Sequence, residues 1–282
     1  MDGGMGMAGR SGPGLVVRVC STRAEMAQHA ATVVGERLRA LRRRPRTLHV
    51  AFAAAPSQAE FLVALRRQPG IPWPRIVAFQ LDEYLDLSAD APQRFASWLD
   101  RHLFQQVPLG MVHRIDTSVG PDAACARYEA LLRAHPLDIA CVGIGDNGHL
   151  AFNDPPVADL DDPLWVKAVE LDEACRRQQV DDGCFPDLSS VPRRALTLTV
   201  PAILSAGFVC AVVPGPRKAA ALRDALCGPV GPGCPASALR QHADTLLCCD
   251  AAAAAELPPP DGGLAAGGWG REDGGEGGPP TR

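Results

Sequence analysis

Short apolar runs alternate with stretches of helical periodicity through the middle of the chain. Strand-like runs rich in β-branched residues occupy 15–19, 47–52, 76–80, 138–143, 195–200, 208–213 and 245–249. Helical patterns cover 22 to about 43, 58–67, 93–105, 123–134 and 217–226. Continuously apolar strands between helices are typical of a parallel sheet that is covered on both faces. The pattern therefore predicts an α/β fold: a doubly wound, mostly parallel, Rossmann-like sheet with helices on both faces.

The two ends of the chain differ from this middle. Residues 1–13 and 257–282 are rich in Gly and Pro and lack apolar periodicity, so we expect both to be disordered. Residues 14–256 are predicted to form one α/β domain. A chain of 282 residues with 46% hydrophobic residues can bury one sizeable core.

Charge and cysteine content exclude several classes of function. The net charge of -4 argues against a sequence-independent grip on nucleic acid. No apolar stretch reaches the ~20 residues of a membrane span, and the N-terminus lacks the pattern of a secretory signal. The 10 cysteines form no CxxC pair and no zinc spacing. We therefore expect free thiols, no metal and a cytoplasmic protein.

Ligands of such sheets bind at the carboxyl ends of the strands, where four loops carry polar residues. The longest, 143–154, reads GIGDNGHLAFND. Gly145 and Gly148 permit a tight turn just before His149, a residue that can exchange protons near neutral pH. Asp146, Asn147 and Asp154 are all candidates to orient this histidine. The alternatives are a polar turn with a surface histidine, a weak match to a dinucleotide loop, and a weak metal site.

The other three loops add complementary chemistry. Asp82 and Glu83 follow a strand as neighbours, so one can face a cleft as a general base while the other braces structure. Lys218 follows PGPR at a helix start, where an anion such as phosphate is favoured. Ser57 and Gln58 follow a further strand. Taken alone, Ser57 is best interpreted as a helix cap, although its hydroxyl could instead bind a phosphate.

These loops, in this order, resemble the glucosamine-6-phosphate deaminase/isomerase family, which also contains the 6-phosphogluconolactonases. LDEYLDL at 81–87 and GIGDNGHLAFNDPP at 143–156 carry most of the resemblance, and VPRRALTLTVPAIL at 191–204 and GPRKAAAL at 215–222 add to it. The resemblance covers roughly residues 15–250. It implies ring opening of glucosamine 6-phosphate, aldose–ketose isomerisation and release of ammonia to give fructose 6-phosphate, without any cofactor.

The resemblance also implies roles for particular residues. Asp82 matches the proton-shuttling aspartate, and His149 matches the ring-opening histidine with Asn147 and Asp154 as its partners. Lys218 matches the phosphate lysine. The substrate-binding set expected around them is Ser57, Gln58, Gly145, Gly148 and Lys218. The implied partner is a small sugar phosphate, and whether the chain forms a homo-oligomer is left open.

Three positions depart from the family pattern. Asn147 stands where aspartate is frequent, Asp154 replaces a glutamate, and AAAPSQ replaces a glycine-rich phosphate loop, so that Pro56 offers no N–H. Arg176 and Arg177 lie near the position of a further basic residue in the family. Two other functions therefore stay open: a 6-phosphogluconolactonase-type sugar lactonase, and a sugar-phosphate-binding regulator with weakened catalysis.

Overall fold

A computed structural model describes residues 14–155 and 157–258. The strands within these ranges are β1 (Gly14–Cys20), β2 (Leu48–Phe52), β3 (Ile76–Gln80), β4 (Asp82–Tyr84), β5 (Met111–His113), β6 (Ile139–Val142), β7 (Val166–Glu170), β8 (Arg194–Leu198), β9 (Phe208–Val213) and β10 (Asp244–Asp250). The α-helices are α1 (Arg23–Leu41), α2 (Ala59–Arg66), α3 (Phe95–Leu99), α4 (Pro121–Ala134), α5 (Glu173–Asp181), α6 (Val200–Leu204) and α7 (Ala219–Cys227). Short 3-10 turns, Pro56–Gln58 and Pro216–Lys218, lead into α2 and α7.

The main sheet has seven strands in the order β1-β10-β9-β6-β2-β3-β5, and all neighbouring strands are parallel. Every residue of β2, β3, β6 and β9 is buried, as their continuous apolar sequences require. One core cluster packs α1 and α2 on one face, with Met26 and Phe61 among its residues. A second core cluster packs α4, α6 and α7 against the other face of the sheet, with Tyr128 and Leu222 among its residues. The prediction of a doubly wound α/β fold is confirmed.

A second sheet is not anticipated by the sequence pattern. Strands β4, β8 and β7 form a three-stranded antiparallel sheet in which Asp82 pairs with Thr197 and Lys167 also pairs with Thr197. The strand-like run at 195–200 contributes β8 to this antiparallel sheet and not to the parallel one. Its strand ends at Leu198, and Thr199 instead caps α6 by accepting a hydrogen bond from the backbone N–H of Ala202.

This small sheet determines where the strand after β3 goes. Only Leu81 separates β3 from β4, so the chain leaves the parallel sheet and enters the antiparallel one within a single residue. Asp82 therefore lies next to the carboxyl end of β3.

Two other predicted segments differ in their limits. The helix predicted for 93–105 consists of α3 followed by a wider π-type turn at Asp100–Phe104. Leu257, which the sequence pattern assigns to the disordered tail, packs against the second core cluster. Residues 1–13 and 259–282 of the two predicted disordered ends lie outside the described residues. Within the described ranges, no helix combines the length and apolar character needed to cross a bilayer.

Candidate functional site

The strand-end loops line one small cavity. It measures about 50 Å³, and its lining includes Ser57, Asp82, Gly145, His149 and Lys218. This space is narrow but partly open to solvent.

Asp82 and Glu83 have separate environments, in keeping with the alternation expected of a strand. Asp82 lines the cavity, and burial, followed by the charge of Glu83, raises the pKa of its carboxyl well above the usual range. Glu83 is fully buried and accepts hydrogen bonds from the backbone N–H groups of Tyr84, Phe95 and Ala96 at 3.0, 3.0 and 2.9 Å. Asp82 is therefore the carboxylate available to a substrate, and Glu83 secures the start of α3.

Gly145 and Gly148 shape the turn that presents His149. The backbone N–H of Gly148 donates to the Gly145 carbonyl at 3.0 Å, and the N–H of Gly145 donates to the His149 carbonyl at 2.9 Å. Gly148 adopts a φ of 85°, which favours glycine. Gly145 is needed for a different reason: a Cβ there would lie 2.2 Å from Cε1 of His149. The imidazole thus packs directly on the Gly145 backbone.

His149 is held by an amide and a carboxylate behind it. Its Nδ1 lies 2.7 Å from Oδ1 of Asn147 and 3.0 Å from Oδ1 of Asp154. The amide orientation of Asn147 is set by two contacts: Oδ1 accepts from the backbone N–H of His149 at 3.1 Å, and Nδ2 donates to Asp154 at 3.0 Å. Because Nδ1 faces two acceptors, it carries the proton, which leaves Nε2 free to exchange a proton with a ligand.

Asp154 supplies the negative charge of this network. Its residue is 1% exposed. Burial raises the pKa of the Asp154 carboxyl, but the hydrogen bond and charge of His149, together with the hydrogen bond from Asn147, outweigh burial and leave the pKa below its usual range. The buried carboxylate can therefore stabilise an imidazolium at His149.

Helix α5 covers the site and contributes residues that the sequence did not reveal. Gln178 and Gln179 line the cavity. The side-chain oxygen of Gln178 accepts a hydrogen bond from the backbone N–H of Asp146 at 2.8 Å, and that of Gln179 accepts one from the Tyr84 hydroxyl at 3.0 Å. Cys175 lies behind the site, where its ligand atom and those of His149 and Asp154 are all within 4.8 Å of one another. These three side chains could hold a metal ion, a grouping that cysteine spacing along the chain does not predict.

Lys218 and Ser57 both line the cavity. Lys218 is 5% exposed, and its Nζ lies 2.5 Å from Oδ1 of Asp146. Ser57 is within a 3-10 turn whose N-cap is Ala55, so the interpretation of Ser57 as a cap is wrong and its side chain lines the cavity instead.

Two predicted substrate-binding residues lie outside the cavity lining. Gln58 is buried, and its side-chain amide donates to the carbonyl of Val212 at 3.0 Å, so it ties the loop to the end of β9. Gly148 acts through its backbone turn. The Arg176 guanidinium donates to the carbonyls of loop 188–192, and Arg177 is exposed and paired with Glu173. Neither arginine lines the cavity.

Comparison with known proteins places this arrangement in one family. The family model described as glucosamine-6-phosphate isomerases/6-phosphogluconolactonase matches residues 21–248. The chain belongs to this family.

Relatives and solved structures agree with that assignment. Glucosamine-6-phosphate deaminase 1 of Bacillus subtilis is 31% identical over 233 residues, which cover 81% of this chain and 93% of the relative. The glucosamine-6-phosphate deaminase of Exiguobacterium sibiricum is 35% identical over 175 residues, which cover 61% of this chain and 67% of the relative. A solved monomeric glucosamine-6-phosphate deaminase superposes with a TM-score of 0.78 at 28% identity, over 86% of this chain and 99% of that one. The 6-phosphogluconolactonase of Thermotoga maritima shares the fold. It superposes with a TM-score of 0.68 at 21% identity, over 84% of this chain and 99% of that one.

Proposed function

We propose that the protein deaminates and isomerises glucosamine 6-phosphate to fructose 6-phosphate. The observation that carries this proposal is the convergence of a buried carboxylate, a histidine and a lysine, Asp82, His149 and Lys218, on one cavity. Aldose–ketose isomerisation needs a base that removes a proton and returns it to the neighbouring carbon. The relatives named as deaminases support the choice of substrate.

The first step opens the sugar ring. His149 passes the proton of the C1 hydroxyl to the ring oxygen through Nε2, so that the C1–O5 bond breaks and C1 becomes an aldehyde. While the imidazole carries both protons, the Asp154 carboxylate at 3.0 Å from Nδ1 offsets its charge. Asn147 keeps the imidazole of His149 in this orientation through the 2.7 Å contact of its carbonyl oxygen with Nδ1.

The second step moves a proton between adjacent carbons. Asp82 removes the proton from C2 and returns it to C1, and a proton passes from the amine to O1, so that the aldehyde becomes an alcohol and an imine remains at C2. The raised pKa of the buried Asp82 carboxyl makes it a stronger base than an exposed aspartate. Since one carbon is oxidised as the other is reduced, the step needs no redox cofactor.

The last step releases ammonia. Water adds to the C2 imine, ammonia leaves, and the oxygen of that water becomes the ketone oxygen of fructose 6-phosphate. This net use of water would make the enzyme a hydrolase that acts on an amino-sugar phosphate.

The decisive experiment measures ammonia and fructose 6-phosphate formed from glucosamine 6-phosphate by the purified protein. We expect equal amounts of the two products, and a loss of kcat of about 10²-fold or more in Asp82→Asn because general base catalysis is removed. Asp86→Asn is the matched control, since Asp86 lies on the surface paired with Arg194.

The same preparation separates the two other functions. Hydrolysis of 6-phosphogluconolactone without ammonia release from glucosamine 6-phosphate would identify a lactonase. Binding of glucosamine 6-phosphate without either product would identify a regulator. Either result would refute the proposed deaminase.

A further inference from the structure

A second cavity lies next to the catalytic one. It measures about 190 Å³ and shares Ser57 and Lys218 with the catalytic cavity. Its other walls include Arg23 at the start of α1, Arg217 in the turn before α7, and Asp182 just after α5. Three cationic side chains and a hydroxyl therefore surround one space that opens beside the catalytic groups.

Two of these cations are neutralised by carboxylates of the protein itself. Lys218 is paired with Asp146 at 2.5 Å, and the side chain of Lys218 is only 6% exposed. Arg217 forms an ion pair with Asp182 and also lies 3.7 Å from Asp146. A lysine this buried needs a counter-ion, and Asp146 provides it when no ligand is bound. An anionic ligand that reaches Lys218 therefore competes with the Asp146 carboxylate for the ammonium.

Arg23 lies beside the loop that departs most from the family pattern. Its guanidinium donates to the carbonyl of Pro56 at 3.4 Å and lies 3.0 Å from the carboxylate of Glu60. The side chains of Arg23 and Glu60 are 42% and 48% exposed, so their ion pair is weak and can be exchanged for another partner. Because Pro56 has no N–H, this loop offers a phosphate fewer backbone donors than a glycine-rich loop does. A guanidinium at the same place supplies donors of suitable geometry.

We propose that the phosphate group of the substrate displaces Asp146 from Lys218 and is bound in this second cavity by Lys218 and Ser57 together with Arg23 and Arg217. Asp146 is then an internal competitor: it holds the Lys218 ammonium through the 2.5 Å contact, and it lowers the affinity for phosphate. Arg23 and Arg217 take over the role of the missing loop donors. The sugar-phosphate identity of the ligand rests on the proposed function, whereas the anion site itself rests on the cavity and its charges.

The direct test is calorimetric titration of the full-length protein with inorganic phosphate. We expect Arg23→Gln and Arg217→Gln each to weaken binding by roughly fivefold or more, since each removes a charged donor. Asp146→Asn should tighten binding by about fivefold, because a neutral amide competes less well than a carboxylate for the Lys218 ammonium. Arg177→Gln is the control: this arginine is exposed on α5 and lines neither cavity. Melting temperatures establish that each variant is folded.

Asp146→Asn distinguishes this proposal from a structural role of the same residues. A variant that merely loosened the loop would bind phosphate more weakly, whereas removal of a competitor strengthens binding. Phosphate affinity that is unchanged or weaker in Asp146→Asn would overturn the proposal. So would wild-type affinity in both arginine variants, or a wild-type protein that binds no phosphate.

The KM for glucosamine 6-phosphate gives a second readout that depends on the proposed function. It should rise in the two arginine variants and fall in Asp146→Asn. Turnover without the expected pattern of phosphate affinities would reject the anion site and leave the deaminase in place. The expected pattern without any turnover would reject the deaminase and keep the anion site.

Discussion

The contact between Gly145 and His149 makes a quantitative prediction for Gly145→Ala. A Cβ on Gly145 would lie 2.2 Å from Cε1, 2.3 Å from Nδ1 and 2.4 Å from Nε2 of the imidazole. Ordinary carbon contacts begin at about 3.5 Å, so the ring must retreat by roughly 1 Å. The backbone of Gly145 does not have the positive φ of Gly148, and alanine is therefore excluded by the imidazole alone.

A shift of this size breaks the arrangement on which the proposed ring opening depends. The imidazole cannot retreat by 1 Å and keep its Nδ1 at 2.7 Å from Asn147 and 3.0 Å from Asp154. Misplacement of a catalytic group by about 1 Å costs on the order of 10²-fold in rate. We therefore expect kcat for ammonia release to fall by about 10²-fold in Gly145→Ala.

The assay is ammonia release at saturating glucosamine 6-phosphate, with circular dichroism and a melting curve as evidence of folding. Gly233→Ala is the matched control, because a Cβ at Gly233 meets no atom within 4 Å. A folded Gly145→Ala protein that retains more than about half of the wild-type kcat would refute the reasoning, since the imidazole would then have tolerated the methyl group without losing its function.

Three further predictions address stability and cofactor need. Glu83→Gln should lower the free energy of unfolding by about 2–3 kcal/mol in urea titrations, because an amide cannot accept all the hydrogen bonds that the buried carboxylate accepts from backbone N–H groups. The control is Glu173→Gln at an exposed position, which should change the free energy of unfolding by less than about 0.5 kcal/mol. Burial is the main cause that lowers the pKa of His49 and His113 below 6.5, and the charge of the neighbouring His135 lowers both further. The folded state therefore disfavours their protonation, so stability is complete above pH 6.5 and falls below it. His113→Asn should make that fall shallower in unfolding curves measured on either side of this pH. Exhaustive treatment with a chelator should leave ammonia release unchanged, because the proposed steps transfer protons between side chains and substrate; lost activity that zinc restores would contradict this.

The parallel sheet could be predicted because its central strands are buried on both faces. Such strands need continuous apolar sequence, which is visible without a structure, and β3 and β9 match their predicted limits to the residue. The strand-end rule then located Asp82, His149 and Lys218, although the sequence could not say that one cavity joins them.

The antiparallel sheet and α5 could not be predicted in the same way. Strand β4 has three residues and pairs with β8, more than a hundred residues away, so no local pattern marks it. Helix α5 reads EACRRQQVD, a sequence with almost no apolar periodicity, and it buries Gln178 and Gln179 against the site. Glutamines in a polar segment resemble a solvated helix face, and only the fold reveals that they cover a cavity.

The substitutions around His149 divide orientation and charge between two side chains. The Asn147 carbonyl oxygen lies nearer to Nδ1 than the Asp154 carboxylate does, at 2.7 against 3.0 Å, and so fixes the ring more directly. An amide is neutral, however, and cannot stabilise an imidazolium as a carboxylate can. Asp154 supplies that charge. Its Oδ1 lies beside Nδ1 of His149 and also accepts a hydrogen bond from the Asn147 amide, so one oxygen atom contacts both side chains. The Asp154 side chain reaches Nδ1 of His149 at 3.0 Å across the loop formed by the turn at Gly145 and Gly148, so an aspartate is long enough for this contact.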